Sequence, residues 1–225
     1  MSFWDHLSEL RNRLIRIFIG LVIAAGISLI FTEPLLRVLI RPYGQALKVI
    51  GPTESVSIYL RVALTCGAAL AMPYILWEFW GFIAPGLLPN ERRYAYVLIP
   101  AACGLFLTGV AFAWFLMAPA AINFLSTFSP GIFETEWTSE RYIPFITSLL
   151  FWIGVSFEMP LIVFFLAKLR IVNARMLLRS WRYAIVGIAV IAAAITPTVD
   201  PFNMALVMAP LIALYFISVV LAALA

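Results

Sequence analysis

Six apolar runs, separated by shorter polar and basic stretches, dominate this sequence and restrict it to folds whose solvent is lipid. A helix needs about 20 mostly apolar residues, each rising about 1.5 Å, to cross a hydrocarbon core of about 30 Å. On that ruler the runs fall at residues 14–31, 57–79, 94–117, 145–166, 183–195 and 202–224. A soluble globule is excluded: with 64% of residues hydrophobic and 12% charged, it would lack the polar side chains to cover its surface. The expected fold class is all-α, a polytopic membrane protein with six transmembrane helices, and residues 1–225 form a single integral-membrane domain. The N-terminus lacks a short apolar region followed by a small-residue cleavage site, so the first run is expected to persist as a helix.

Basic residues set the orientation. Arg11, Arg13 and Arg16 precede the first crossing, Arg92 and Arg93 lie between the second and third, and Lys168, Arg170, Arg175, Arg179 and Arg182 lie between the fourth and fifth, ten on one side. Arg37, Arg41, Lys48, Arg61 and Arg141, five over two longer loops, occupy the other. The positive-inside rule makes the richer side cytoplasmic, and six crossings place both termini there. The net charge of +4 is therefore spent on topology and implies no nucleic-acid partner. Cys66 and Cys103 sit within apolar runs and read as packing residues, so no metal site or cofactor is expected.

Two features break the regular pattern of crossings. The fifth run, residues 183–195, covers about 20 Å and is followed by a turn with two prolines and Asp200, so a short fifth helix is expected. In the first external loop, Thr32, Glu33 and Pro34 form a helix start, after which Leu35, Leu36, Leu39 and Ile40 gather on one side. This predicts an interfacial helix, and residues 119–128 after the third crossing read the same way. Residues 134–141 add acids and Trp137 at headgroup depth.

Function must then reside in the few polar groups that interrupt the apolar pattern. Glu158 lies mid-run in the fourth segment, where an unpaired carboxylate is expensive. Pro160, two residues on, cannot donate to the carbonyl of Ser156, which predicts a bend and a polar notch. Three uses of Glu158 stay open on composition: a hydrogen bond to a neighbouring helix, an ion or proton site as in secondary transporters, or docking of a polar side chain from a partner helix. At the N-terminus Ser2 and Asp5 have the spacing of a capping box, and Glu9 reads as an exposed carboxylate that also stands four residues before Arg13. Glu91 lies beside Arg92 and Arg93 at the start of the third crossing, and His6 reads as a solvated helix-face residue. No nucleophile and base set occurs, so catalysis is not expected.

Three stretches carry a more specific signal. HLSELRNRL (6–14), FIAPGLLPNERR (82–93) and FEMP (157–160), supported by TPTVD after the fifth run, resemble in order and spacing the TatC family of twin-arginine translocase subunits. The resemblance runs from about residue 4 to 215. It implies a curved, glove-like bundle in a bacterial or archaeal cytoplasmic (inner) membrane. The implied function is that of signal-peptide receptor and scaffold, which recognises consecutive arginines on folded precursor proteins. Single-span TatA- and TatB-type partners and homo-oligomers within the complex are implied with it. By resemblance, Glu9 and Glu91 read the arginine pair, with Leu10, Arg11, Phe82, Pro85 and Gly86 shaping that surface. Glu158 meets a partner helix or the signal peptide within the membrane, while Pro42, Pro160 and Asp200 are structural or topological. Guanidinium and carboxylate pair through planar forks that Lys cannot reproduce, which suits this assignment. Two positions depart from the family: the chain reads Leu214, Tyr215, Phe216 where a Glu commonly follows the Tyr, and no polar tail precedes Ala225. The competing class is a proton- or cation-coupled small-solute secondary transporter built around Glu158, although matched halves with paired broken helices are missing from the sequence.

Overall fold

The computed structural model describes residues 3–83, 89–127, 136–196 and 200–225. Among them the chain is helical: α1 Phe3–Ile30, α2 Thr32–Ile40, α3 Glu54–Ile83, α4 Pro89–Phe112, a π-helical turn Ala113–Met117, α5 Ala118–Thr127, α6 Ser139–Ser156, α7 Met159–Lys168, α8 Ala174–Arg179, α9 Trp181–Ile195 and α10 Pro201–Leu224. Five helical stretches are long and apolar enough to cross a membrane: His6–Ile30, Glu54–Ile83, Leu98–Thr127, Ser139–Lys168 and Pro201–Leu224. The sixth apolar helix, α9, has 15 residues and so spans only about 22 Å at about 1.5 Å per residue. The short fifth helix anticipated from its early proline-rich turn is thus present.

Contacts divide the chain into two compact units, residues 1–39 with 49–104, and residues 40–48 with 105–225. In the first, α1 packs along α3, and Val62, Ala63, Ala71 and Trp80 are buried. The helices touch backbone to backbone at Gly67, where a Cβ would stand 2.5 Å from Ala25 Cα. Small residues permit such approaches, and between apolar helices in lipid this packing replaces the hydrophobic drive available in water. Phe31 alone separates α1 from α2, with Thr32 Oγ1 donating to the Ser28 carbonyl at 3.0 Å. The anticipated helix after the first crossing is α2, whose Glu33 and Arg37 pair at 2.6 Å one turn apart.

In the second unit the chain leaves α2 through a turn containing Pro42. Tyr43 and Gly44 N–H donate back to the Ile40 carbonyl at 3.1 and 3.3 Å, and Gly44 adopts φ +74°, a conformation that glycine takes without cost. Lys48 N–H donates to the Trp137 carbonyl at 3.1 Å, and Ser139 N–H to the Lys48 carbonyl at 2.9 Å, so the two loop segments join as one bridge. Lys48 and Glu136 form an ion pair beside it. Trp137 stacks on Phe145 at 5.9 Å, and its indole N–H reaches Ser126 Oγ at 3.2 Å. Below the bridge, Tyr142, Ile143, Phe145, Ile146, Leu149 and Ile153 of α6 form the core.

Three departures from the sequence expectations have local causes. The segment 119–128, expected to lie flat as its own helix, is helical over Ala118–Thr127 and continues α4 through the π turn without interruption. Pro119 supplies no N–H, and a π register just before it is one way to absorb a missing donor. The fourth crossing starts at Ser139, six residues before the apolar run, because the polar residues there lie against the loop bridge. The basic segment after the fourth crossing, expected only as a loop, contains α8, capped by Asn173 Oδ1 accepting from Met176 N–H at 2.8 Å and tied to α10 by Tyr215 Oη donating to the Leu177 carbonyl at 2.6 Å.

Asp200 has a clear structural task. Its Oδ1 accepts from Asn203 N–H at 2.7 Å and its Oδ2 from Asn203 Nδ2 at 2.9 Å, capping α10 immediately before Pro201. Asp200→Ala is expected to lower the stability of the detergent-solubilised protein by about 1 kcal/mol, read as a fall in thermal midpoint, with Asp200→Asn retaining most of it.

Candidate functional site

Among the described residues, two sites stand out within the apolar helices, one in each unit. In the first, the N-terminal turns of α1 meet the C-terminal turns of α3. Arg13 is the centre. Its Nε and Nη2 donate to Glu9 Oε1 at 3.0 and 2.8 Å, and its Nη1 donates to Glu78 Oε2 at 2.9 Å and to the Glu78 carbonyl at 3.3 Å. Helical spacing puts Glu9 and Arg13 on one face, and the α1 to α3 packing brings Glu78 to that face. Glu78 Oε1 receives Tyr74 Oη at 3.3 Å and lies 3.8 Å from Arg16 Nη1.

The guanidinium has room because residue 81 is glycine: a Cβ there would stand 2.4 Å from Arg13 Nη1. The Glu78 side chain is 7% exposed, and those of Arg13 and Glu9 are 19% and 21%. At that burial a carboxylate without donors would be costly, and the charged hydrogen bonds from Arg13 offset the cost. Both Arg13 donors to Glu9 converge on Oε1, and Glu9 Oε2 is buried with no hydrogen-bond partner among the described residues.

The pairing of Glu9 with Arg13 one turn on is present as the spacing allowed, but the expected exposure is not. Glu9 is not a freely exposed carboxylate but one arm of a Glu9–Arg13–Glu78 cluster. His6 is exposed on α1 as expected, and its ring also stacks on Phe82 at 4.4 Å and 22°, joining the first turns of α1 to the end of α3. Leu10 and Arg11 are exposed and, with Leu7, Leu14, Ile15 and Phe18, border a shallow, open apolar depression on α1. Glu91 falls in the first turn of α4, with its side chain outside the described residues, and Pro85 and Gly86 lie outside them altogether.

Glu78 was missed by sequence reasoning. Its signal was available, as a carboxylate inside an apolar run between Trp77 and Phe79, one helical turn after Tyr74. Such a residue in a spanning helix calls for a partner, and the arginines near the start of the first run were the candidates.

The second place is the break between α6 and α7. Pro160 has no N–H for the Ser156 carbonyl, and the helix gives way over Phe157 and Glu158. Phe157 N–H is shared between the Ile153 and Gly154 carbonyls at 3.1 and 3.2 Å, and Glu158 N–H reaches the Val155 carbonyl at 3.0 Å. The helix resumes as Leu161 and Ile162 donate to the Glu158 carbonyl at 3.1 and 3.0 Å. The interruption at Pro160 is thus two turn residues, Phe157 and Glu158, whose backbone stays in the right-handed helical region at φ −67°, ψ −15° and φ −71°, ψ −20°. The residue is 4% exposed, and its Oε1 is buried with no hydrogen-bond partner among the described residues.

Comparison with known proteins adds what geometry alone does not. The family model for the Sec-independent protein translocase protein TatC matches residues 5–210. A Sec-independent protein translocase protein TatC of Deinococcus radiodurans is 39% identical, over 97% of this chain and 84% of its own length. TatCd of Bacillus subtilis is 35% identical over 97% and 90%, and a chloroplastic TATC of Pisum sativum is 36% identical over 96% and 62%. A crystal structure of the twin-arginine translocase receptor TatC matches with a TM-score of 0.88 at 33% identity, covering 96% of this chain and 97% of that one. On the extent of these matches and the shared fold, the chain belongs to the TatC family, the multi-pass membrane receptor subunit of the twin-arginine translocase.

Proposed function

We propose that this receptor binds signal peptides carrying consecutive arginines through Glu9 and Glu91, and that Leu10, Arg11, Phe82, Pro85 and Gly86 form the surface around them. Family membership supplies the class of function, a translocase receptor and not an enzyme. The observation that carries the residue assignment is Glu9 itself, held by a guanidinium already on the protein and keeping one carboxylate oxygen unpartnered among the described residues. A carboxylate that already pairs with one arginine has the chemistry to pair with another. The basic-residue asymmetry supports a cytoplasmic position for these groups, and the membrane is proposed to be a bacterial or archaeal cytoplasmic membrane, where precursors are made on that side. Glu158 is proposed to receive a polar side chain from a single-span TatA- or TatB-type helix, or to meet the signal peptide within the membrane. The receptor is proposed to assemble as several copies with those partners. The family match removes the reason for preferring a solute transporter.

The test is direct binding of a synthetic signal peptide to the chain in lipid nanodiscs. Replacing the arginine pair by two lysines is expected to weaken binding about tenfold or more, since a lysine has no planar fork. Glu9→Gln and Glu91→Gln are each expected to cost about tenfold, the scale of one charged hydrogen bond. Equal affinity of the wild-type chain for both peptides would sink the assignment.

A further inference from the structure

We propose that Arg13 is a built-in surrogate for the signal-peptide arginine: it occupies Glu9 in the unliganded receptor, and Glu78 is the second seat that retains it when an incoming guanidinium takes Glu9. The proposal rests on the reading of Glu9 as a guanidinium site and adds two residues, Arg13 and Glu78, that act through it.

Geometry separates the two ends of the Arg13 fork. Nε and Nη2 serve Glu9, while Nη1 serves Glu78 through both its carboxylate, at 2.9 Å, and its backbone carbonyl, at 3.3 Å. Loss of the Glu9 contacts therefore leaves the Nη1 contacts in place. The reverse arrangement would be poorer, because Glu9 offers Arg13 one oxygen and no described carbonyl. Glu78 is also the better-buried and better-supported carboxylate, with Tyr74 Oη at 3.3 Å and Arg16 at 3.8 Å. The bare Cα of Gly81 gives the guanidinium the space to sit against α3.

A site that binds guanidinium but must not bind other cations gains from such an arrangement. While unliganded, the cluster balances Glu9 and Glu78 with Arg13 and Arg16, and Glu9 is not an open anion for any passing ammonium group. An entering group must do for Glu9 what Nε and Nη2 did, which two adjacent planar donors accomplish and a lysine point charge does not. Exchange against an internal competitor lowers the apparent affinity of every entering cation by the same factor, so it keeps weak contacts off Glu9, while the choice of arginine over lysine comes from the planar fork itself.

The consequence is a pair of substitutions with opposite signs. With the full chain in nanodiscs and the Arg-Arg and Lys-Lys peptides as probes, Arg13→Gln removes the competitor. Affinity for the Arg-Arg peptide is expected to rise about tenfold, and that for Lys-Lys by the same factor, even as the thermal midpoint falls because two carboxylates lose their donor. Glu78→Gln leaves Arg13 with Glu9 as its only carboxylate, so the competitor is held harder and affinity is expected to fall about tenfold. The double variant is expected to bind like Arg13→Gln, since no competitor remains. Arg13→Lys, which keeps the charge and guards against misfolding, should fall between wild type and Arg13→Gln. A purely structural cluster gives the other pattern, in which every variant binds more weakly and the double variant is worst, and that result would overturn the proposal. Glu9→Gln distinguishes the levels. If it weakens binding while Arg13→Gln does not strengthen it, only the surrogate is wrong; if it leaves binding unchanged, the reading of Glu9 fails and the surrogate with it.

Discussion

Gly67→Leu is expected to destroy the pairing of α1 with α3 and with it the folded first unit. The obstacle to any side chain at residue 67 is backbone: Ala25 Cα at 2.5 Å, Ala25 N at 2.8 Å and the Ala24 carbonyl carbon at 3.1 Å from the Cβ position. A flexible neighbour could turn aside, but a helix axis must move as a body. Inserting a few methylenes into well-packed contacts costs about 1–3 kcal/mol where side chains can yield, and more is expected where they cannot. In lipid no hydrophobic gain offsets a wider helix separation, because the tails are as apolar as leucine. Gly26→Leu, one residue beyond Ala25 on α1, is the matched control, since nothing lies within 4 Å of its Cβ position. Yield of monodisperse protein and thermal midpoint in detergent are expected to collapse for Gly67→Leu, to fall modestly for Gly67→Ala and to hold for Gly26→Leu. Signal-peptide binding should follow the same order, since Arg13 bridges Glu9 and Glu78 only while the two helices are in register.

This dependence explains what could and could not be read along the chain. The crossings were legible because each is a one-dimensional property: an apolar run of sufficient length needs no partner to be recognised. The short α9 and the break at Glu158 were legible for the same reason, since Pro160 and the prolines at 197 and 201 act within a few residues of themselves. Contacts between distant residues were not. Arg13 was legible as a cytoplasmic basic residue one turn from Glu9, but Glu78 was not read at all, because its hydrogen bond to Arg13 joins positions 65 apart and exists only through α1 to α3 packing. Gly67 had no flag either, lying in a helix with small residues on several faces. The π turn before Pro119 and helix α8 fell between these cases. Both have local causes, but each is shorter than the window over which periodicity can be judged.

A final substitution separates the uses left open for Glu158. A buried acceptor without a donor destabilises the structure that contains it, and its replacement by an apolar group of similar size relieves that cost. Because Glu158 Oε1 has no hydrogen-bond partner among the described residues, Glu158→Leu is expected to leave the thermal midpoint of the isolated receptor unchanged or to raise stability by about 1–3 kcal/mol. The same substitution is expected to abolish transport of a twin-arginine precursor in membranes that also contain the partner subunits, because the acceptor offered to a polar group in another helix is gone. Glu158→Gln keeps a carbonyl acceptor at the break and should retain part of the transport. The opposite movement of stability and function is the diagnostic. If Glu158 held together helices of its own chain, Leu would lower the midpoint along with transport, as loss of a satisfied buried carboxylate does. Under the proposed role, Glu158 costs the isolated receptor an unsatisfied acceptor at a buried break, and that cost disappears only when a partner helix reaches it and supplies the donor.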